Sequence, residues 1–159
     1  MTRVFADSCF IIGLKNKKDQ FAGLAREVWT ELARRKIVNG LEDLVVTNLV
    51  VVEVFQKLQN DVGFARAHSV FKEIMDNCAV EWVTESQVRE AIAMKLAPTV
   101  ATRRDLTKEP PIGLIDAVSL VVMDKTRVRF IISYDKGYDE IPLVRRLYNK
   151  KSVSMTEFL

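Results

Sequence analysis

Four acidic residues occupy apolar stretches of the sequence, where charged side chains are uncommon. Asp7 follows Val-Phe-Ala, Glu53 lies within Leu-Val-Val-Val-Glu-Val-Phe, Asp116 lies within Gly-Leu-Ile-Asp-Ala-Val, and Asp135 follows Phe-Ile-Ile-Ser-Tyr. A charged carboxylate is costly to hold near an apolar core unless another group compensates its charge. A hard divalent cation, Mg2+ or Mn2+, is the simplest compensator that all four could share, because such ions prefer oxygen ligands.

The elements that must position these acids can be read from the hydrophobic pattern. Short apolar runs predict strands at 4–6, 44–46, 79–83 and 129–133, with a fifth, short edge strand at 152–155. Helical spacing predicts helices over 19–36, from 47 or 48 to 59, from a cap at Asp61, from a capping box at Thr84 to 96, and over 113–125. Pro98 is expected to end the fourth of these, with a loop or broken helix over 99–111. This alternation predicts a three-layer α/β/α sandwich around a mainly parallel sheet of four to five strands.

The predicted elements bring the four acids toward one edge of the sheet. Asp7 follows the first strand and Asp135 follows the fourth, while Glu53 lies about two turns into the helix after the second strand. Asp116 lies near the start of the helix that leads into the fourth strand. Sites in such sheets form at the carboxyl ends of the strands, so we expect all four side chains to face one crevice.

Each acid alone also has an ordinary structural explanation. Asp7 could cap a helix, Asp116 could interact with a helix dipole, and Asp135 could form a turn. Glu53 could lie on an exposed helix face. The ordered set of four, rather than any single member, therefore favours a metal site.

Size and composition narrow the class of protein. The 159 residues predict one domain spanning 1–159, and 48% of them are hydrophobic, enough for a sizeable core. No apolar run reaches the roughly 18 residues that a membrane span needs, and the first residues lack a signal-peptide pattern. We expect a cytoplasmic protein with no membrane contact.

The residue inventory argues against several other chemistries. Cys9, Cys78 and the single His68 provide neither a disulfide framework nor a multi-histidine or thiolate-rich zinc site. A glycine-rich phosphate loop is also missing from the sequence. The net charge of +3 is mildly basic, and six basic residues flank the first and third acids: Lys15, Lys17, Lys18, Arg103, Arg104 and Lys108. They would suit a polyanionic substrate, although solvated loops are the simpler explanation.

The four acids in this order and context resemble the PIN-domain family, particularly the VapC-like toxin ribonucleases of prokaryotic toxin–antitoxin pairs. The segments that carry the resemblance are Val4–Ile12, Thr47–Val54, Leu114–Leu120 and Ile131–Asp139. The resemblance extends over nearly the whole chain. Each segment is short, so the specificity lies in their order.

The resemblance implies a role for each matching residue. The metal-binding and catalytic acids would be Asp7, Glu53, Asp116 and Asp135. Ser8 matches the small hydroxyl residue that is common after the first acid, and Ser133 takes the place of the usual Thr before the last acid. Tyr138 stands where the family often has Phe, and Cys9 departs from the frequent Asn.

The function implied by the resemblance is a Mg2+- or Mn2+-dependent endoribonuclease that hydrolyses RNA phosphodiester bonds. A toxin of this kind would bind a small antitoxin protein over its acidic crevice and form a homodimer. Cys9 motivates an alternative, a catalytically weak PIN-like module that binds RNA or protein. A phosphatase is a further alternative, although such enzymes would want a second Asp where Cys9 stands.

Overall fold

Five short parallel strands form one sheet in the computed structural model, which describes residues 2–102 and 112–158. The strands are β1 (Val4–Ala6), β2 (Leu44–Thr47), β3 (Ala79–Glu81), β4 (Phe130–Ile132) and β5 (Arg145–Leu147). Their order across the sheet is β3-β2-β1-β4-β5, and every neighbouring pair is parallel. β1 therefore lies at the centre of the sheet.

Helices alternate with these strands and cover the sheet. In the described part of the chain they are α1 (Ser8–Lys15), α2 (Ala22–Arg34), α3 (Asn48–Val62), α4 (Phe64–Asn77), α5 (Glu85–Thr102), α6 (Leu114–Thr126) and α7 (Lys150–Ser154). α3 packs against α4, α5 against α6, and α1 against both α2 and α3. Within residues 2–102 and 112–158, no helix has the length and apolar character needed to cross a membrane. The predicted α/β sandwich is confirmed.

The central strands are buried on both faces, which explains why they read as unbroken apolar runs. Val4, Phe5 and Ala6 of β1 are fully buried, and so are Ile131 and Ile132 of β4. Phe130 of β4 is half-buried but apolar, so no side chain of these two strands can serve as a solvent-facing ligand. The first polar positions available for chemistry come where the strands end.

The end of β2 shows how the chain turns from the core into a helix. Thr47 is fully buried, and its Oγ1 accepts a hydrogen bond of 3.1 Å from the backbone N–H of Val50. This is an N-cap, which satisfies one of the free N–H groups in the first turn of α3. The predicted cap at 47 or 48 is confirmed, and it fixes the start of the helix that carries Glu53.

The predicted edge strand at 152–155 is wrong. The fifth strand is Arg145–Leu147, and residues 150–154 form α7 instead. Asn149 and Ser152 make a capping box that starts this helix, and the hydrogen bonds of that box favour helix over strand. β5 escaped prediction because two of its three residues are arginines.

Two helix boundaries also differ from prediction. α4 begins after Gly63, whose positive φ of 94° suits glycine, whereas Asp61 lies within α3 and pairs with Lys57 at 2.9 Å. α5 does not stop at Pro98 but continues to Thr102. A proline removes one helical hydrogen bond, and the helix continues past it. The rest of the loop predicted at 99–111 lies outside the described residues.

Candidate active site

Asp7 follows β1 and is held by three donors. Its Oδ1 accepts a 2.8 Å hydrogen bond from the backbone N–H of Ser8, which caps α1. Its Oδ2 accepts a 2.6 Å bond from the Ser133 hydroxyl and a 3.6 Å contact from the Cys9 thiol. Only 4% of Asp7 is exposed. The carboxylate is thus both a helix cap and a fixed negative charge at the end of the central strand.

Asp135 follows β4, beside Asp7. Its Oδ1 accepts a 2.8 Å hydrogen bond from the backbone N–H of Gly137 and so caps a 3₁₀ turn over Lys136–Glu140. Its own backbone N–H donates to the Ser133 hydroxyl at 3.1 Å. The turn-forming role considered from the sequence is therefore present, and the carboxylate also borders the cavity that Asp7 faces.

Glu53 and Asp116 approach the same place from two helices. Glu53 is an exposed residue in the second turn of α3. Asp116 is half-buried in the first turn of α6, which begins after Gly113. Both helices direct a carboxylate toward the sheet edge where β1 and β4 end.

One open cavity of about 280 Å³ joins the four predicted acids. Its lining consists of Asp7, Ser8, Cys9, Phe21, Glu53, Asp116, Tyr134 and Asp135. The structure therefore brings Asp7, Glu53, Asp116 and Asp135 together, with Ser8 beside them. Ser133 is fully buried beneath the cavity and reaches it through its hydrogen bonds to two of the acids.

Among the residues that the structure describes, no lysine or arginine lines this cavity beside its carboxylates. Burial, together with the negative charge of Asp7, raises the pKa of Glu53 and raises that of Asp116 to about 7. Burial also raises the pKa of Asp7, although its hydrogen bonds from Ser133 and Ser8 work in the opposite direction. A cation in the cavity would favour the charged form of these carboxylates and lower their pKa values again.

The donor set fits a hard divalent cation that keeps some of its waters. All four acids offer oxygen, the ligand that Mg2+ and Mn2+ prefer. In residues 2–102 and 112–158, however, no group of three His, Cys, Asp or Glu side chains is close enough together to hold an ion directly. The open cavity leaves room for water between carboxylate and ion, which is the usual mode of Mg2+ binding.

Cys9 is a neutral member of the site. Its sulfur lies 3.7 Å from the Ser133 hydroxyl and accepts a 3.4 Å hydrogen bond from the backbone N–H of Tyr134. Burial, reinforced by the negative charge of Asp7, raises the pKa of the thiol to about 12. Cys9 therefore stays protonated at neutral pH and is not a nucleophile.

Two aromatic side chains of the cavity were not assigned to it from the sequence. Phe21 and Tyr134 stack with ring centroids 4.3 Å apart and ring planes 16° apart. Tyr134 could have been found from its place directly before Asp135. Phe21 carried no local signal, because it is brought to the site by the approach of α2.

The basic residues around the acids have mixed roles. Lys15 pairs with Glu73 at 2.8 Å and so is engaged away from the cavity. Lys17 and Lys18 are exposed. Arg103, Arg104 and Lys108 lie outside the described residues. The proposed attraction for a polyanion therefore depends on residues beyond the cavity lining.

Known proteins share the sequence pattern and the fold of this chain. The family model of the PIN domain matches residues 4–143. None of the curated proteins matches the sequence. Among solved structures, the chain is similar to the Mycobacterium tuberculosis VapC20, a sarcin-ricin loop cleaving toxin, with a TM-score of 0.67 and 21% identity over 89% of this chain and 96% of that one. It is also similar to the DNA-bound VapBC from Salmonella typhimurium, with a TM-score of 0.60 and 14% identity over 92% and 98% of the two chains.

Proposed function

This chain belongs to the PIN domain family, and we propose that it is a Mg2+- or Mn2+-dependent endoribonuclease that hydrolyses RNA phosphodiester bonds. The observation that carries the proposal is the convergence of four carboxylates on one cavity without a positive side chain among its lining residues. Carboxylates grouped in this way repel one another, and a divalent cation would neutralise their charge. Many nucleases use a divalent ion beside the phosphodiester in catalysis.

The four acids would share the work of holding the ion. Asp7, Asp116 and Asp135 are the proposed principal ligands, and Glu53 is a ligand or the base that orients the attacking water. When bound, the ion activates a water molecule and neutralises charge on the phosphodiester and its leaving oxygen. Glu53 is suited to accept a proton, because desolvation of its carboxylate and the negative charge of Asp7 raise its pKa.

The rest of the cavity supports these acids and suits an unpaired nucleotide. The Ser133 and Ser8 donors keep Asp7 in one orientation, so little rearrangement is needed when the ion binds. The stacked rings of Phe21 and Tyr134 offer an aromatic surface beside the carboxylates. Unpaired bases stack on such surfaces, which favours single-stranded or looped RNA as the substrate.

We further propose that the protein is the toxin of a toxin–antitoxin pair, acting in the cytoplasm as a homodimer. Two solved structures of similar fold are a VapC toxin and a VapBC complex, which supports a small antitoxin as partner. Exposed apolar residues on neighbouring helices, Val52 of α3 and Phe64 of α4, are 63% and 62% exposed and could contribute to such interfaces. Light scattering of the purified chain, alone and with the product of a short neighbouring gene, tests both associations. A monomer that binds no such product would count against them.

The test of catalysis is cleavage of a labelled RNA with Mg2+ or Mn2+. We expect Asp7→Asn and Asp116→Asn each to lower the rate by at least roughly 100-fold, since losing a ligand costs more than the 10–100-fold typical of a supporting group. Asp124→Asn is the matched control, because Asp124 lies on the same helix as Asp116 but faces Arg129 at 3.8 Å. Equal rates in wild type and Asp116→Asn would contradict the proposal.

The second candidate is a PIN-like module that binds RNA or protein with little catalysis. It is favoured by the lack, among the described residues, of three metal-ligating side chains close enough to hold one ion directly. Calorimetry with Mn2+ separates the two candidates. Normal RNA binding without measurable metal uptake would favour the binding module.

A further inference from the structure

The hydroxyl group of Tyr138 has an unusual environment. Tyr138 is fully buried, and its hydroxyl makes no hydrogen bond of good distance and angle with any described residue. Only the Tyr134 hydroxyl shares this property among the buried side chains that the structure describes. A buried polar group without a partner loses its hydration and gains nothing in return, so such a group calls for an explanation.

The position of Tyr138 suggests a partner for its hydroxyl group. The residue belongs to the 3₁₀ turn that Asp135 caps, and its side chain interacts with that of Asp116. The proximity of its hydroxyl lowers the pKa of Asp116, against the larger effect of burial. A phenol carries its proton at neutral pH, so the Tyr138 hydroxyl can donate a hydrogen bond to a neighbouring carboxylate.

We propose that Tyr138 is a positioning residue whose hydroxyl donates a hydrogen bond to Asp116 and holds that carboxylate toward the shared cavity. The inference rests on the proposed function in one respect, namely that Asp116 is a metal ligand. Hydrogen bonds of this type are often long or poorly aligned in a free enzyme and tighten in the loaded site. Groups that orient a ligand in this way typically contribute 10–100-fold to metal affinity.

The first experiment measures Mn2+ affinity by calorimetry in Tyr138→Phe, which removes only the hydroxyl. We expect the Kd to rise by roughly 10-fold. The matched control is Tyr148→Phe, which also removes only a phenol hydroxyl; Tyr148 does not line the cavity, is 38% exposed and stacks on Arg146 at 4.1 Å. Its Kd should stay within about twofold of wild type. Equal effects of the two substitutions would overturn the proposal.

A second experiment needs no metal and isolates the contact between Tyr138 and Asp116. Urea unfolding at pH 8 in the presence of a chelator is measured for wild type, Tyr138→Phe, Asp116→Asn and the double variant. If the hydroxyl serves Asp116, the two substitutions should be coupled by at least roughly threefold in the unfolding equilibrium constant. A general packing role for Tyr138 would give the same effect in both backgrounds, and that result would overturn the proposal.

The two experiments also separate this inference from the proposed function. Wild-type protein that binds no Mn2+ but shows the coupling would contradict the metal-dependent nuclease and leave the contact between Tyr138 and Asp116 standing. Wild-type protein that binds Mn2+ normally, with no coupling and an unchanged Kd in Tyr138→Phe, would preserve the proposed function and reject the role of Tyr138.

Discussion

Ser133 connects two of the four acids through one hydroxyl group. Its Oγ donates to Asp7 at 2.6 Å and accepts the backbone N–H of Asp135 at 3.1 Å. Because Ser133 is fully buried, neither bond can be replaced readily by bulk water. The residue therefore affects both the stability of the fold and the geometry of the proposed metal site.

We expect Ser133→Ala to lower RNA cleavage by roughly 10–100-fold, the usual effect of losing a group that orients a ligand. It should also reduce the free energy of unfolding by about 1–3 kcal/mol, because the buried carboxylate of Asp7 and the part-buried N–H of Asp135 lose their partner. Cleavage assays and urea unfolding measure the two effects.

Ser119→Ala provides the matched control for this prediction. Ser119 is also fully buried, but its hydroxyl donates to the backbone carbonyl of Ile115 at 3.0 Å, within α6. It should cost some stability and leave cleavage within about threefold of wild type. Loss of cleavage in both serine variants would mean that destabilisation, and not the orientation of Asp7, explains the result.

At the scale of elements, β5 shows how a charged strand is held at the edge of the sheet. Arg146 is buried, with both guanidinium bonds to Asp139 at 2.7 Å, a 3.3 Å bond to the carbonyl of Ser133, and a 4.1 Å distance to the ring of Tyr148. The guanidinium thus ties β5 to the end of β4 and to the 3₁₀ turn that carries Tyr138.

We expect Arg146→Lys to lower the free energy of unfolding by roughly 1.5–3 kcal/mol, since an ammonium cannot reproduce the paired bonds of a guanidinium. Cleavage should fall as well, because the turn beside Asp135 loses its anchor. Thermal unfolding and the RNA assay measure both. Arg145→Lys is the control, since Arg145 is exposed on the same strand, and a larger loss of stability there would contradict the argument.

The same element explains which parts of the fold can be read from the sequence. β1 and β4 consist only of apolar residues, so a run of apolar residues is enough to predict them as buried strands. β5 is stabilised instead by a bond between Arg146 and a residue seven positions away, which no local pattern of hydrophobicity reports. In the same way, α7 depends on side-chain capping by Asn149, which an apolar pattern does not report.

The candidate site also contains residues that the sequence predicts and residues that it does not. The grouping of Asp7, Glu53, Asp116 and Asp135 could be anticipated, because strand ends and helix starts in a parallel sheet converge at one edge. Phe21 could not be found, since its place beside Tyr134 depends on how α2 packs against α1.

At the scale of the whole molecule, the acid cavity makes stability depend on pH. The pKa of Asp116 rises from 3.8 to about 7 on folding, chiefly through burial, and the pKa values of Asp7 and Glu53 are raised as well. Between the two pKa values of Asp116, 3.8 and about 7, the folded state binds more protons than the unfolded state. The metal-free protein should therefore lose stability as pH rises from about 4 to about 7.

The slope in this window should come from the cavity acids. Asp139 and Glu31, whose pKa values are lowered by hydrogen bonds from Arg146 and Arg34, are charged in both states above about pH 5 and contribute little there. Asp116→Asn should consequently flatten the decline, while Asp124→Asn should retain it. Thermal unfolding in a chelator from pH 4 to pH 8 measures this dependence, and a decline that is equally steep in Asp116→Asn would contradict the assignment.

Mn2+ should reverse the trend, since a bound cation compensates the carboxylates only when they are deprotonated. At pH 7, a concentration of 100 times the Kd should add about 2.7 kcal/mol to the free energy of unfolding. The gain should shrink toward pH 5, where protons compete for the same oxygens. Stabilisation by Mn2+ that is equally strong at pH 5 and pH 7, or that survives Asp116→Asn unchanged, would place the ion away from the cavity and separate the electrostatics of these acids from metal binding.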